Sequence, residues 1–167
     1  MRLVELSPAE RDYFGSAPGA PDALLRLLTR HLGRVLTARM RRVVQVSGSS
    51  HGTGRLHGLV VERAAPEFEW NDALAVMWLH ARLGRPGGRL QRPAAALTHN
   101  LLRTLQCSLA ETWRSLPEMQ SLPPCLSLRI DTTPADVNPT GASLTIFLPS
   151  TATCMNQWAR RIICHAT

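Results

Sequence analysis

The stretch Ala96–Leu116, ALTHNLLRTLQCSLAETWRSL, decides the fold. Leu97, Leu101, Leu105, Leu109, Trp113 and Leu116 recur every three or four residues, the spacing that aligns side chains on one face of a helix. Arg103, Glu111 and Arg114 fall mostly off that face. Pro117 ends the helix, because its ring clashes with the preceding turn and it has no N–H to donate. Two apolar runs follow, CLSLRI (Cys125–Ile130) and ASLTIFLP (Ala142–Pro149). Both alternate with a period near two, as half-buried strands do. The turn TTPADVNPTG between them is rich in Pro, Asp, Asn and Gly. A helix laid over a strand pair is a folding core, and nothing in it is a catalytic signature.

Working outward, Asp22 is the expected cap of a helix over ALLRLLTRHLGRVLTARMRRV. Leu24, Leu25, Leu28, Leu32, Val35, Leu36 and Met40 form its apolar stripe, with Arg26, Arg30, Arg34 and Arg41 largely opposite. Gly33 weakens it slightly. VVQVSGSSHGTGRLHGLVVER reads as a hairpin, with arms Val43–Val46 and Leu56–Glu62 around a Gly/Ser turn over Ser47–Gly54. Glu62, Glu67 and Glu69 then read as an acidic loop before Trp70. NDALAVMWLHARLG reads as a helix capped by Asn71 or Asp72 and ended by Gly84 or the following RPGGR. Leu90 begins a short strand before Pro93. The last helix starts at Thr151 or Thr153 and turns Met155, Trp158, Ile162 and Ile163 inward. Upstream, LSPAER opens a short helix with Ser7 as cap and Pro8 at the first helical position, and GSAPGAP reads as a linker.

The chain of 167 residues therefore divides into an extension and linker over 1–21 and one α+β scaffold domain over 22–167, with helices packed on mainly antiparallel strands. That domain divides further into two pseudo-repeated halves, 22–92 and 93–167. Apolar residues reach 44%, enough for a packed core. All 19 basic residues are arginine, a mark of GC-rich coding, and the net charge of +7 favours acidic partners. Cys107, Cys125, Cys154 and Cys164 form no C-x-x-C pair and read as reduced thiols of a cytosolic protein. The first residues carry charges before any long apolar run, so no secretory leader is expected. No stretch has the length and apolarity of a membrane span.

Chemical motifs are sparse. His31, His51, His57, His80, His99 and His165 have no carboxylates at metal-ligand spacing, and the Cys164-His165 pair lacks convergent companions, so no metal is expected. SGSSHGTG does not have the spacing of a G-x-S-x-G nucleophile turn. An enzyme built on it would need Ser49 or Ser50 beside His51 or His57 and an acid in one pocket. Without lysine there is no complete phosphate loop, and no cofactor is expected. Arg39, Arg41 and Arg42 close one helix, Arg82, Arg85, Arg89 and Arg92 surround RPGG, and Arg160 and Arg161 sit in the last helix. An arginine-rich nucleic-acid-binding module is the alternative function. However, Trp78, Trp113 and Trp158 fall on expected core faces and are lost as stacking platforms.

The order of WLHARLGRPGGRL, LLRTLQCSLAETWRSLPEM, LSLRI, ASLTIFLPSTA and WARRI resembles the middle domain of the flagellar motor switch protein FliM. It resembles more closely the N-terminal region of the type III secretion counterpart, the SctQ-type cytoplasmic ring protein. The resemblance covers roughly Glu69–Ile163, with a weaker echo in Leu24–Glu62. It implies a FliM-middle-domain/CheC-like fold and a non-enzymatic scaffold of the cytoplasmic sorting platform, peripheral to the inner-membrane apparatus. The implied partners are the stator protein of the ATPase complex, the ring adaptor protein and a SpoA-containing C-terminal fragment or chain. Carried over, Arg85, Gly87, Gly88 and Arg89 would lie in a partner-facing loop. CheC-type phosphatases pair Glu with Asn on a helix; here Arg114 stands three residues after Glu111, so that activity is not expected. No SpoA module is visible in the sequence, which departs from full-length SctQ-type proteins.

Overall fold

The computed structural model describes residues 20–51, 62–83, 95–116, 122–133 and 141–164. Helix α1 (Ala20–Met40) leads into β1 (Val43–His51), and β2 (Glu67–Trp70) into α2 (Asp72–Leu83). Helix α3 (Ala95–Arg114) precedes the strands β3 (Cys125–Thr133) and β4 (Ala142–Phe147), and α4 (Ala152–Cys164) closes the order. The four strands form one antiparallel sheet in the order β1-β3-β4-β2. Among the described residues, β3 and β4 are the two central strands and β1 and β2 the two outer ones.

The sheet has one apolar face. Leu126, Leu128 and Ile130 of β3 pair with Ile146, Leu144 and Ala142 of β4, and all six are buried. The intervening Arg129 and Ser143 are exposed, as the two-residue period of a strand requires. The helices bring matching stripes: Leu24, Leu28, Leu32, Leu36 and Met40 from α1, Leu74 and Trp78 from α2, Met155 and Trp158 from α4. Helix α3 buries Leu101, Leu105, Leu109 and Trp113 together with Thr104, Ser108 and Thr112. The two threonine hydroxyls satisfy themselves inside the helix, donating to the carbonyls of Asn100 at 2.9 Å and Ser108 at 2.7 Å. Trp113 Nε1 donates to Asn156 Oδ1 at 2.7 Å, tying α3 to α4.

Element ends follow local chemistry. The cap of α2 is Asn71: its Oδ1 accepts from the Leu74 N–H at 3.2 Å. The same oxygen accepts from the Ser143 N–H at 3.0 Å, and Asn71 Nδ2 donates to the Gly141 carbonyl at 3.2 Å. Thr151, rather than Thr153, caps α4, with Oγ1 accepting from the Cys154 N–H at 3.2 Å. Helix α1 begins at Ala20, so Asp22 stands inside the first turn, where a carboxylate meets the positive helix end. It closes at Arg41, a non-glycine residue at φ 53°.

Two expectations are corrected. Ser47–His51 is not a hairpin turn; it continues β1, which pairs with β3 along its whole length, from Val43↔Thr133 to His51↔Cys125. The apolar face of β3 supplies a distant partner that outweighs the flexible composition of the segment. Gly48 suits that partner, because a Cβ there would lie 2.5 Å from Leu128 Cδ2 and 2.8 Å from the Ser127 carbonyl oxygen. Of the expected second arm, Glu62 is not in a strand, and residues 52–61 lie outside the described residues. Second, Glu67–Trp70 is no loop but an edge strand on β4. Phe68 and Trp70 turn toward the core while Glu67 and Glu69 stay exposed, so four residues suffice to pair.

Candidate docking surface

The predicted loop residues Arg85, Gly87, Gly88 and Arg89 lie outside the described residues, as do Leu90 and the LSPAER helix. The described chain stops at Leu83, the end of α2, and resumes at Ala95, the start of α3.

Of the segment weighed as a nucleophile loop, Ser47–His51 lies on β1, and His57 lies outside the described residues. Ser47 and Ser49 lie on β1 and are exposed, on the same side as Arg129 and Asp131 of β3. Ser50 points the other way, its Oγ 3.5 Å from Asp22 Oδ1. Among the described residues no group of three or more His, Cys, Asp or Glu side chains converges as metal ligands would. Trp78, Trp113 and Trp158 are 2%, 7% and 8% exposed, so none offers a face for stacking a base.

Several charged side chains tie neighbouring segments together. Arg63 Nε meets Glu67 Oε2 at 3.1 Å, and its guanidinium lies 4.8 Å from the Phe147 ring centroid. The Arg63 N–H donates to Ser150 Oγ at 3.1 Å, and its carbonyl accepts from the Ser150 N–H at 3.2 Å. This clamp holds the chain before β2 against the end of β4. Cys125, which pairs with Phe147, is buried beside it. Burial pushes its thiol pKa up, and the Arg63 charge pulls partly the other way. His31 Nε2 lies 3.1 Å from Glu111 Oε2, linking α1 to α3.

An exposed basic flank lies along α1, beside β1. Arg26, Arg30 and Arg34 recur every four residues and are all exposed. None of them meets a carboxylate among the described residues. Beside them runs an open apolar groove of about 430 Å3, with Gly33 and Thr37 of α1 on one wall and Val44 and Val46 of β1 on the other. Arg30 and Arg34 form part of its lining. Sequence reading registered the arginines but not the groove, because it took the strand beside them for one arm of a hairpin.

Two solved structures share this architecture. The FliM middle domain from H. pylori superposes with a TM-score of 0.52 at 14% identity, over 91% of this chain and 99% of that one. The fold is that of a FliM middle domain. The FliM middle domain from Vibrio alginolyticus gives a TM-score of 0.51 at 12% identity, over 83% of this chain and 99% of its own. The α+β expectation and the FliM-like reading of the element order hold at the level of fold. No protein-family model and no curated protein matches the sequence. Among the described residues, no helix is long and apolar enough to cross a membrane.

Proposed function

We propose that this chain is a non-enzymatic assembly domain of a type III secretion cytoplasmic ring, the sorting platform. The observation that carries the reading is the FliM-middle-domain fold, whose helices and strands spend their inward positions on apolar packing. In this role the domain docks the stator protein of the ATPase complex and the ring adaptor protein. It joins a SpoA-containing fragment or chain that completes the ring subunit. Partner contact is assigned in this reading to Arg85, Gly87, Gly88 and Arg89. Apolar anchors supply affinity there, and the basic rim raises the encounter rate.

Pull-down with purified stator and adaptor proteins at micromolar concentration tests the reading. Capture of at least one is expected; clean failure with both overturns it. Replacing Gly87 and Gly88 by tryptophan should weaken one partner and leave the urea midpoint unchanged. A shifted midpoint would make the pair a structural turn instead. The arginine-rich nucleic-acid reading has one favouring observation, the exposed Arg26, Arg30 and Arg34 series. Its distinguishing sign is affinity for DNA or RNA that falls steeply with added salt.

A further inference from the structure

Among the described residues, no strand pairs with the outer edge of β1. Antiparallel residues turn their N–H and C=O groups alternately toward one neighbour and the other. The Val44 N–H donates to Thr37 Oγ1 at 3.0 Å, so residue 44 faces away from β3. By alternation, Val46, Gly48 and Ser50 also face outward, and none has a backbone partner on that side among the described residues. Residues Val43–Ser50 carry no charge, no proline and no bulge, three of the devices by which proteins protect an exposed edge; a fourth, a covering helix, is met at Val44, where Thr37 and Gly33 of α1 lie against the outward backbone. Val43 itself is 55% exposed.

The groove beside this edge states what would fit. A strand added to β1 lies about 4.8 Å away, below the outer flank of α1. Gly33 lies against this edge, since a Cβ built on it would be in contact with the Val44 carbonyl oxygen at 3.5 Å, so the outward backbone open to a new strand is that of Val46, Gly48 and Ser50. Arg26, Arg30 and Arg34 step along the helix by about 6 Å each. Alternate side chains of a strand step by about 6.8 Å, so acids at every second position of an incoming strand meet successive arginines nearly in register.

We infer that the α1–β1 groove binds an extended acidic segment of a partner protein, which pairs with β1 and sets alternate carboxylates against Arg30 and Arg34. This inference uses none of Arg85, Gly87, Gly88 and Arg89 and stands whether or not the ring reading does.

A nine-residue peptide alternating valine and glutamate, added to the full 15N-labelled chain, is the test. Its valine–arginine counterpart and a poly-dT oligonucleotide serve as controls. The acidic peptide should bind, and the Val46, Gly48 and Ser50 amides, fast to exchange in the free protein, should become protected. Arg30→Glu with Arg34→Glu should weaken it about tenfold or more. Val46→Pro, which removes an outward donor and leaves the β3 ladder whole, should abolish protection. Equal binding of the arginine peptide, preference for the oligonucleotide, or indifference to the charge reversal would each overturn the proposal. So would amides already protected in the free chain, since its own residues would then cover the edge. The stator and adaptor pull-down, repeated with Arg30→Glu/Arg34→Glu, keeps the two readings apart.

Discussion

At the scale of single residues, Asn71 and Gly48 hold more structure than their size suggests. Asn71 joins β4 to the start of α2 through Oδ1, Nδ2 and its own backbone, whose N–H donates to the Ser143 carbonyl at 3.2 Å. Asn71→Ala removes the cap and strands the Ser143 N–H, at a cost of about 1–2 kcal/mol, read as a lower urea midpoint with unchanged slope. Gly48→Val drives a branched side chain into Leu128 and the Ser127 carbonyl, and should cost about 1–3 kcal/mol. Equal stability of Gly48→Val and the native chain would mean β1 does not lie on β3 in this register. Arg41 is a milder case. Its φ of 53° suits glycine better, so Arg41→Gly should raise the melting temperature by a few degrees, equivalent to about 0.5–1 kcal/mol.

At the scale of elements, α3 is the pillar. It is the helix with four large apolar side chains and three hydroxyl residues all buried, so it has neighbours on more than one flank. Leu109→Ala, at a position with no exposure, should cost about 2–5 kcal/mol, whereas His99→Ala, exposed on the same helix, should fall within about 0.5 kcal/mol; paired denaturation curves check both. Helices α1, α3 and α4 were legible because their faces are set by residues three and four apart, such as Leu24, Leu28 and Leu32. Strands β3 and β4 were legible because alternation is equally local. Strand β1 was cut short, and β2 was missed, because what holds them is remote. Gln45 pairs with Asp131 and Phe68 with Ile146, separations no local window reaches.

At the scale of the whole molecule, the layers explain where chemistry is quiet and where contact is invited. Helices cover one sheet face, and the other keeps Arg129, Ser143 and Gln45 exposed. Cys125 escapes solvent on that face because the Arg63–Phe147–Glu67 clamp closes over its end of the sheet. Its raised pKa has a definite sign: the protonated thiol is the form the fold favours, so the stabilisation is full below the ordinary thiol pKa and is lost as pH climbs through the raised value. Alkylation by iodoacetamide near pH 8, mapped by mass spectrometry, should therefore modify Cys107 and Cys154 before Cys125. Cys125 labelling first would contradict the clamp.

By itself the sequence determined the amphipathic stripes, the α+β class and the basic flank of α1, since each is written in spacings of two to four residues. Only the tertiary structure decided that the β3–β4 hairpin inserts between β1 and β2, that Gly48 and Asn71 sit where substitution is costly, and that a groove runs between β1 and the flank of α1 that carries Arg30 and Arg34. Those outcomes depend on which distant apolar faces meet, a choice made by burial across the whole chain that no short run of residues encodes.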